Sequence, residues 1–211
     1  MAEIDLGLVA VFVVTVVFLA WYYAAFVYSR RLAGRIAREL KSAVLGLGGT
    51  SQIRWFVTGA FRLATEGANP PFKEFAVTVT LRPREMPINW AIATAQGRRD
   101  AALIETGLRK EPKVEFELVD PGTRIGQKRR RARADWLAVA IHGRDLLLAT
   151  DNEARVIALL EAIDSSDLRP VMALHVTEGS PPGIAASVSV DPGDPARGLA
   201  AIRTLATRLM G

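Results

Sequence analysis

The chain has 211 residues, a formal net charge of +5 and no cysteine. The absence of cysteine excludes disulfide bonds and cysteine-based zinc sites, and the excess of positive charge favours anionic partners such as lipid headgroups or nucleic acid. Asparagine and glutamine are scarce while arginine is abundant. This composition is typical of organisms that grow at high temperature, although a GC-rich genome also favours arginine.

An uncharged apolar segment at residues 6–27 is the first element. A helix of about 20 such residues is roughly 30 Å long, enough to cross the hydrocarbon core of a bilayer. We therefore predict a transmembrane anchor at residues 1–28. A cleaved signal peptide is the less favoured alternative, because the N-terminal flank is acidic, the apolar run is long and Ala24-Ala25 is a poor cleavage site. Aromatic residues gather at the C-terminal end of the segment, as in an interfacial belt: Trp21, Tyr22, Tyr23 and Tyr28.

The charges on the two sides of the anchor predict its orientation. Glu3 and Asp5 precede it and no basic residue does. The basic residues that follow it are Arg30, Arg31, Arg35, Arg38 and Lys41. By the positive-inside rule, the N-terminus lies outside the cell membrane and the remainder of the chain lies in the cytoplasm.

Residues 29–50 predict a basic amphipathic helix followed by a glycine-rich linker. Apolar residues recur at spacings of three and four from Leu32 onward, while Arg31, Arg35 and Arg38 lie on another face. The helix either lies on the membrane, with the five basic residues named above at lipid phosphates, or packs as a stalk against the domain or a second copy. Gly46, Gly48 and Gly49 end it.

Residues 51–211 predict one soluble α+β domain with a largely antiparallel sheet. Residues 53–65 fit a strand or a helix, and their Trp, Phe, Val and Thr content favours a strand. Residues 75–81 predict its hairpin partner. A short helix is expected at 87–97, and strands at 101–108 and 114–119. The apolar residues of the helix predicted at 87–97 share one face: Ile88, Ala91, Ile92 and Ala95.

The second part of the domain repeats this order of elements. Residues 136–149 predict a hairpin, and Asp151 or Asn152 caps the helix that follows. Strands are expected at 171–176 and 184–190, and Pro195 begins a final helix. The halves, about 52–120 and 135–211, are consistent with a duplicated ββαββ unit, although only the order of elements supports this.

The most polar stretch, residues 121–134, is predicted as a loop between the halves. Its basic residues are Arg124, Lys128, Arg129, Arg130, Arg131 and Arg133. Such a cluster suits anionic lipid, nucleic acid or a solvated loop without a ligand. We expect anionic lipid, because the anchor keeps the domain near the cytoplasmic leaflet, and because specific RNA recognition requires exposed aromatic residues among the basic ones.

No group of residues indicates catalytic chemistry. His142 is expected in a hairpin turn and His175 in a strand, and neither has the neighbours of a metal site. Dinucleotide-binding and P-loop patterns are absent, and Gly179-Ser180-Pro181 is not a nucleophile elbow. We therefore expect no cofactor, and favour a non-enzymatic, membrane-tethered binding or scaffold protein over a tethered enzyme. Expected partners are the membrane and anionic lipid headgroups, with a protein partner, a second copy or nucleic acid as alternatives.

Overall fold

The computed structural model describes residues 6–179 and 183–210. Residues 1–5 of the predicted anchor, which include Glu3 and Asp5, and residues 180–182 of a predicted loop lie outside the described residues, as does Gly211. A long apolar helix precedes a domain in which helices pack on a nine-stranded sheet, and every pair of neighbouring strands in it is antiparallel. This architecture confirms the predicted α+β fold.

The helices are α1 (Leu6–Leu45), α2 (Pro87–Ala95), α3 (Arg124–Ala132), α4 (Glu153–Glu161), α5 (Ser165–Leu168) and α6 (Asp194–Met210). The strands are β1 (Thr50–Val57), β2 (Ala60–Glu66), β3 (Phe72–Thr80), β4 (Ala101–Leu108), β5 (Phe116–Val119), β6 (Leu137–Ile141), β7 (Arg144–Thr150), β8 (Val171–Val176) and β9 (Ile184–Ser189). Their order in the sheet is β1-β2-β3-β4-β9-β8-β5-β7-β6.

Helix α1 is unbroken over 40 residues, and is therefore about 60 Å long at 1.5 Å per residue. Its first part is exposed on all sides. Its second part buries one stripe: Ser29, Ala33, Ile36, Ala37, Leu40 and Val44. The spacing of three and four places these side chains on one face, which contacts α6 and β2. The second part of α1 is thus a stalk that belongs to the core of the domain.

The direction of the chain shows which end of the sheet lies near the apolar segment. The turn after α1 contains Gly48 and Gly49, both with positive φ, and β1 then runs back toward the apolar segment. The turn between β1 and β2 accepts a hydrogen bond at the Gly59 carbonyl from the Leu81 amide, 2.7 Å away. We name this end of the sheet, where β3 ends and β4 begins, the proximal end.

Two predicted features of the sheet need correction. The single strand predicted at 53–65 is two strands, β1 and β2, joined by a turn at Thr58 and Gly59; the preference for strand over helix is confirmed. The predicted halves are not separate, because β5 lies between β7 and β8 while β4 pairs with β9. The turn was not predicted because the alternation of apolar residues continues across it. The pairing of β4 with β9 and of β5 with β7 and β8 was not predicted because strand partners distant in sequence leave no local pattern.

Other local predictions are confirmed. The β6–β7 hairpin closes through His142 and Gly143, whose φ angles of 49° and 73° match a two-residue turn with the twist of a hairpin. Asn152 caps α4, since its side chain accepts a hydrogen bond from the Arg155 amide. Helices α2 and α6 form where proline marks their first turns.

Candidate functional site

The first part of α1 is long and apolar enough to cross a membrane, and its most apolar window has no residue buried against the domain. Phe12, for example, keeps 69% of its surface exposed. A helix that is apolar on every side is stable in a protein core or a membrane, not in water. The Thr15 hydroxyl donates to the Val11 carbonyl at 2.8 Å, so its polar group is satisfied within the helix.

Aromatic residues near the end of the apolar segment attach it to the domain. The Trp21 indole donates to the Arg84 carbonyl at 3.0 Å, and its ring lies 5.6 Å from that of Trp90 in α2. The Arg84 guanidinium lies 5.4 Å from the ring centroid of Tyr28, a cation–π distance. The segment between β3 and α2 therefore contacts α1 where membrane and water are expected to meet.

An ion pair fixes this segment. Arg84 donates to both carboxylate oxygens of Asp100, and the Arg82 amide donates to the same carboxylate at 2.7 Å. The side chains of Arg84 and Asp100 are only 11% and 14% exposed. A bidentate pair with additional hydrogen bonds is the geometry in which a buried charge is tolerated. The pair was not predicted, because its members are 16 residues apart and neither has a distinctive local pattern.

Helix α2 exposes the apolar face that its sequence predicts. Among its residues only Ala93 is buried. Ile88 and Ile92 are 64% and 49% exposed. Met86, which precedes the helix, lines a cavity together with residues of the apolar segment: Val14, Thr15, Phe18, Leu19 and Tyr22. An apolar surface thus continues from the apolar segment onto α2.

The end of β1 adds further exposed apolar side chains. Trp55 and Phe56 are about half exposed, and Val57 is 65% exposed. The Trp55 ring lies 4.9 Å from that of Phe61, so one side of the ring contacts Phe61 while half of the residue stays exposed to solvent. These residues lie at the proximal end, beside the turn at Gly59.

The basic stretch predicted as a loop is helix α3, which begins at the proximal end of the sheet directly after its N-cap residue, Thr123. The Thr123 side chain accepts a hydrogen bond from the Gly126 amide at 3.0 Å, which caps the helix. Gly126 is buried because the helix passes close to the Asp120 backbone. The loop prediction is wrong because Lys and Arg have high helix propensity and Thr123 caps the first turn.

The six predicted anion-binding residues divide by their partners. Arg129 pairs with Glu117 at 3.3 Å, and Arg133 donates to Asp135. The hydrogen bond from Arg133 holds the pKa of the Asp135 carboxyl below its usual value, and the positive charge of Arg133 makes a smaller contribution in the same direction. Arg124 donates to Gln96 at 3.3 Å. Within the described residues, four form no ion pair with a carboxylate: Arg124, Lys128, Arg130 and Arg131.

A cavity of about 310 Å³ at the proximal end joins the start of α3 to the end of α2. Four arginines line it: Arg82, Arg98, Arg99 and Arg124. Its apolar side is formed by Leu81, Pro83, Ile125 and Met172, among others. Sequence reasoning did not identify Arg98 and Arg99, which lie more than twenty residues before α3; their position directly after a predicted helix end was the only signal. Arginine stays protonated at neutral pH, so this cavity suits binding of an anion rather than acid–base catalysis.

The five basic residues predicted to contact lipid beyond the anchor are exposed along the stalk: Arg30, Arg31, Arg35, Arg38 and Lys41. They occupy the sides of α1 that do not enter the core. Because α1 is continuous past Tyr28, Arg30 and Arg31 lie nearest to the apolar segment and Lys41 farthest from it.

The two histidines lie in the β6–β7 turn and in β8. His142 Nε2 lies 2.9 Å from the Ile163 carbonyl, and His175 is half-buried in β8. No group of three or more potential metal ligands occurs in residues 6–179 and 183–210. Neither a protein-family model nor a curated protein matches the chain.

Proposed function

We propose that this chain is a single-span membrane protein whose domain lies in the cytoplasm and acts as a non-enzymatic binding or scaffold module. The unbroken α1 carries the proposal, because one helix supplies both the exposed apolar segment and a stripe of the core. Such a helix holds a binding domain at a fixed height and orientation on the membrane. A flexible tether would not do so.

The contacts of Trp21 favour an anchor that is retained over a signal peptide that is removed. Cleavage near Ala24-Ala25 would separate Trp21 from Arg84 and Trp90, with which it now makes a hydrogen bond and a ring contact. The orientation follows from the basic residues after residue 28, since positive flanks remain in the cytoplasm.

Single-cysteine labelling tests this topology, because the chain has no cysteine of its own. We expect a membrane-impermeant maleimide to label Ala2→Cys on intact cells. We expect it to label Lys110→Cys, which is exposed between β4 and β5, only after permeabilisation. Labelling of Lys110→Cys on intact cells would reverse the orientation, and release of the protein by alkaline carbonate would exclude the span.

We further propose that the proximal arginines bind anionic lipid headgroups. Arg98, Arg99 and Arg124 line the cavity at the proximal end of the sheet, and a basic residue near an anionic leaflet contributes about 1 kcal/mol. Helix α3 leads away from the membrane, since it starts beside Asp120 and reaches Glu117 with Arg129. Arg131 is therefore about 10 Å farther along the helix axis than Arg124, which exceeds the Debye length of about 8 Å at physiological salt.

Nucleic acid is the alternative partner, and the unpaired cations of α3 favour it. At about 100° per residue, Arg124, Lys128 and Arg131 share one outward face, away from the side on which Arg129 reaches the sheet. A row of cations on a helix that projects into the cytoplasm would meet phosphates in solution. Arg124 belongs to both sets, so Arg98 and Arg99 distinguish the lipid proposal, and Lys128 and Arg131 distinguish the nucleic-acid proposal.

Two matched triple variants of the full chain separate the proposals. One replaces Arg98, Arg99 and Arg124 with glutamine; the other replaces Lys128, Arg130 and Arg131, so each removes three charges. In nanodiscs of mixed neutral and anionic lipid, we expect the first variant to retain fewer anionic lipids by mass spectrometry and the second to resemble the parent. The lipid proposal fails if only the second loses anionic lipid, or if the parent binds RNA in detergent while showing no preference for anionic lipid.

A further inference from the structure

We propose that α2 inserts its exposed face into the leaflet next to the aromatic end of α1, so that the domain itself is partly immersed in the bilayer. This inference rests on the proposed span. It adds a second membrane contact, made by a helix that sequence analysis assigned to the soluble domain.

The composition and exposure of α2 suit an interfacial helix. It contains no charged residue, and the face opposite the buried Ala93 is apolar and exposed, with the exposed polar residues Asn89 and Thr94 on its two flanks. The residues of this face are Ile88, Ala91, Ile92 and Ala95. Trp90 attaches the helix to Trp21, and aromatic side chains of this kind sit at the boundary of headgroups and acyl chains. A helix lying in that boundary presents an apolar face to lipid in this way.

The depth of α2 follows from its contact with α1. Met86 and Glu85 line one cavity together with Thr15, Phe18 and Tyr22. Phe18 is in the middle of the apolar segment, which a membrane must cover if the segment spans it. Because Met86 and Phe18 line the same cavity, a bilayer that covers Phe18 also reaches the level of Met86, and the first turn of α2 follows directly after it.

The tip of β1 lies at the same level. The eight residues of β1 extend about 27 Å, which equals about 18 residues of α1. Counting back from the end of α1 at Leu45 places the tip near Val27. Trp55 and Val57, both largely exposed there, are thus positioned at the expected membrane surface and not in the open cytoplasm.

Charge at the two ends of α2 fits the same placement. Arg98 and Arg99 follow the helix and are exposed. Arg84 precedes it in a satisfied pair with Asp100, and the half-buried Glu85 lines the cavity on the apolar segment. Basic side chains can reach headgroup phosphates from the edge of the hydrocarbon region. The alternative occupant of the apolar face is α2 of a second copy, which would shield Ile92 without exposing it to lipid.

Depth-dependent quenching tests the inference on the full chain at one copy per nanodisc. Cysteine is introduced singly at Ile92, Phe12 or Lys110 and labelled with an environment-sensitive fluorophore. Nanodiscs contain lipids with a nitroxide in the headgroup region or deep in the acyl chain. We expect blue-shifted emission at Ile92 with strong quenching by the shallow nitroxide, stronger quenching of Phe12 by the deep nitroxide, and no quenching at Lys110.

The outcomes distinguish this inference from the proposed function. Quenching of Phe12 without quenching of Ile92 overturns the insertion of α2 and leaves the span intact. An unquenched Phe12 overturns both. An Ile92 probe that is blue-shifted only when several copies share a nanodisc identifies a contact between copies and also overturns the insertion. A second probe at Ile88 on the same face must repeat the result at Ile92 for the inference to stand.

Discussion

Helices α2 and α3 have nine residues each and meet at the proximal end of the sheet, but their exposed faces differ completely. The exposed residues of α2 are uncharged and mostly apolar, while those of α3 are mostly basic. Their inward sides are alike in being small, Ala93 in α2 and Gly126 in α3. The two helices therefore differ in the side chains that face outward and not in those packed against the domain. The outward side chains are what distinguish the lipid surroundings proposed for α2 from the aqueous surroundings proposed for α3.

The ion pairs near the two helices differ in how much of each is exposed to solvent. Arg84 and Asp100 beside α2 are almost fully buried, whereas Arg133 and Asp135 at the end of α3 are 46% and 63% exposed. A buried carboxylate that is removed leaves an unpaired buried charge, but an exposed one leaves a guanidinium in water. The two pairs should therefore respond very differently to the same substitution.

Removing the buried carboxylate should have the largest effect. We expect Asp100→Ala to lower the free energy of unfolding by about 3–5 kcal/mol, as for other broken buried pairs, because Arg84 and the Arg82 amide lose their acceptor. Denaturant unfolding of the detergent-solubilised chain, followed by tryptophan fluorescence, measures it. Asp135→Ala is the matched control and should leave the unfolding midpoint unchanged. Equal effects would show that the pair at α2 is no more buried in solution than the pair at α3.

Overpacking α3 should be the next largest effect. A methyl group at Gly126 would lie 1.9 Å from the carbonyl oxygen of Asp120, and the backbone there cannot move aside as a side chain would. We expect Gly126→Ala to lower the free energy of unfolding by about 1–3 kcal/mol and to separate Arg129 from Glu117. Faster amide hydrogen exchange in α3 reports the change.

Gly34 provides the control for that substitution. It also lies in a helix, but a methyl group there has no neighbour within 4 Å. Gly34→Ala should therefore raise stability, by up to about 1 kcal/mol from helix propensity. A destabilising Gly34→Ala together with a neutral Gly126→Ala would contradict the docking of α3 described above.

Loss of the α3 cap should have a smaller effect, one that α2 cannot show because no side chain caps it. In Thr123→Ala the Gly126 amide and the Asp120 carbonyl each lose a hydrogen bond. We expect a loss of about 1 kcal/mol in the free energy of unfolding, measured from denaturant midpoints. Thr123→Ser keeps the hydroxyl and should retain most of that stability; if both variants lose the same amount, the cap is not the cause.

Local sequence patterns predicted the elements whose causes are local. The long apolar run, the proline at the start of α2 and the capping Asn152 each act within a few residues, and each element formed where expected. The interleaving of β5 between β7 and β8 depends on partners more than 20 residues apart. No periodicity within one strand encodes that choice.

The proximal site was largely hidden for the same reason. Arg124 was identified because it belongs to a run of basic residues, whereas Arg98 and Arg99 join it only through the fold. The apolar face of α2 was visible in the sequence, but periodicity alone cannot tell whether such a face contacts a protein core or a lipid. The cavity that Met86 shares with Phe18 and the contact of Trp90 with Trp21 support the lipid contact that we propose.

The smallest expected effect concerns the exposed pair of α3. The Arg133 hydrogen bond holds the pKa of Asp135 below the usual value, so Arg133→Gln should raise that pKa toward about 3.9, the value of an unperturbed aspartate. Because the folded pKa is depressed, any stability from the pair is present above the unfolded pKa and is lost as pH falls through the folded pKa. The pair is open to water, so this stability change should be hard to detect.

NMR titration of the Asp135 carboxyl carbon measures the pKa shift directly in the detergent-solubilised chain. Arg130→Gln is the control, since Arg130 has the same charge, lies three residues from Arg133, and pairs with no carboxylate in the described residues. It should leave the Asp135 titration almost unchanged. If both variants shift the titration equally, the general positive field of α3 lowers the pKa, and the specific hydrogen bond from Arg133 does not.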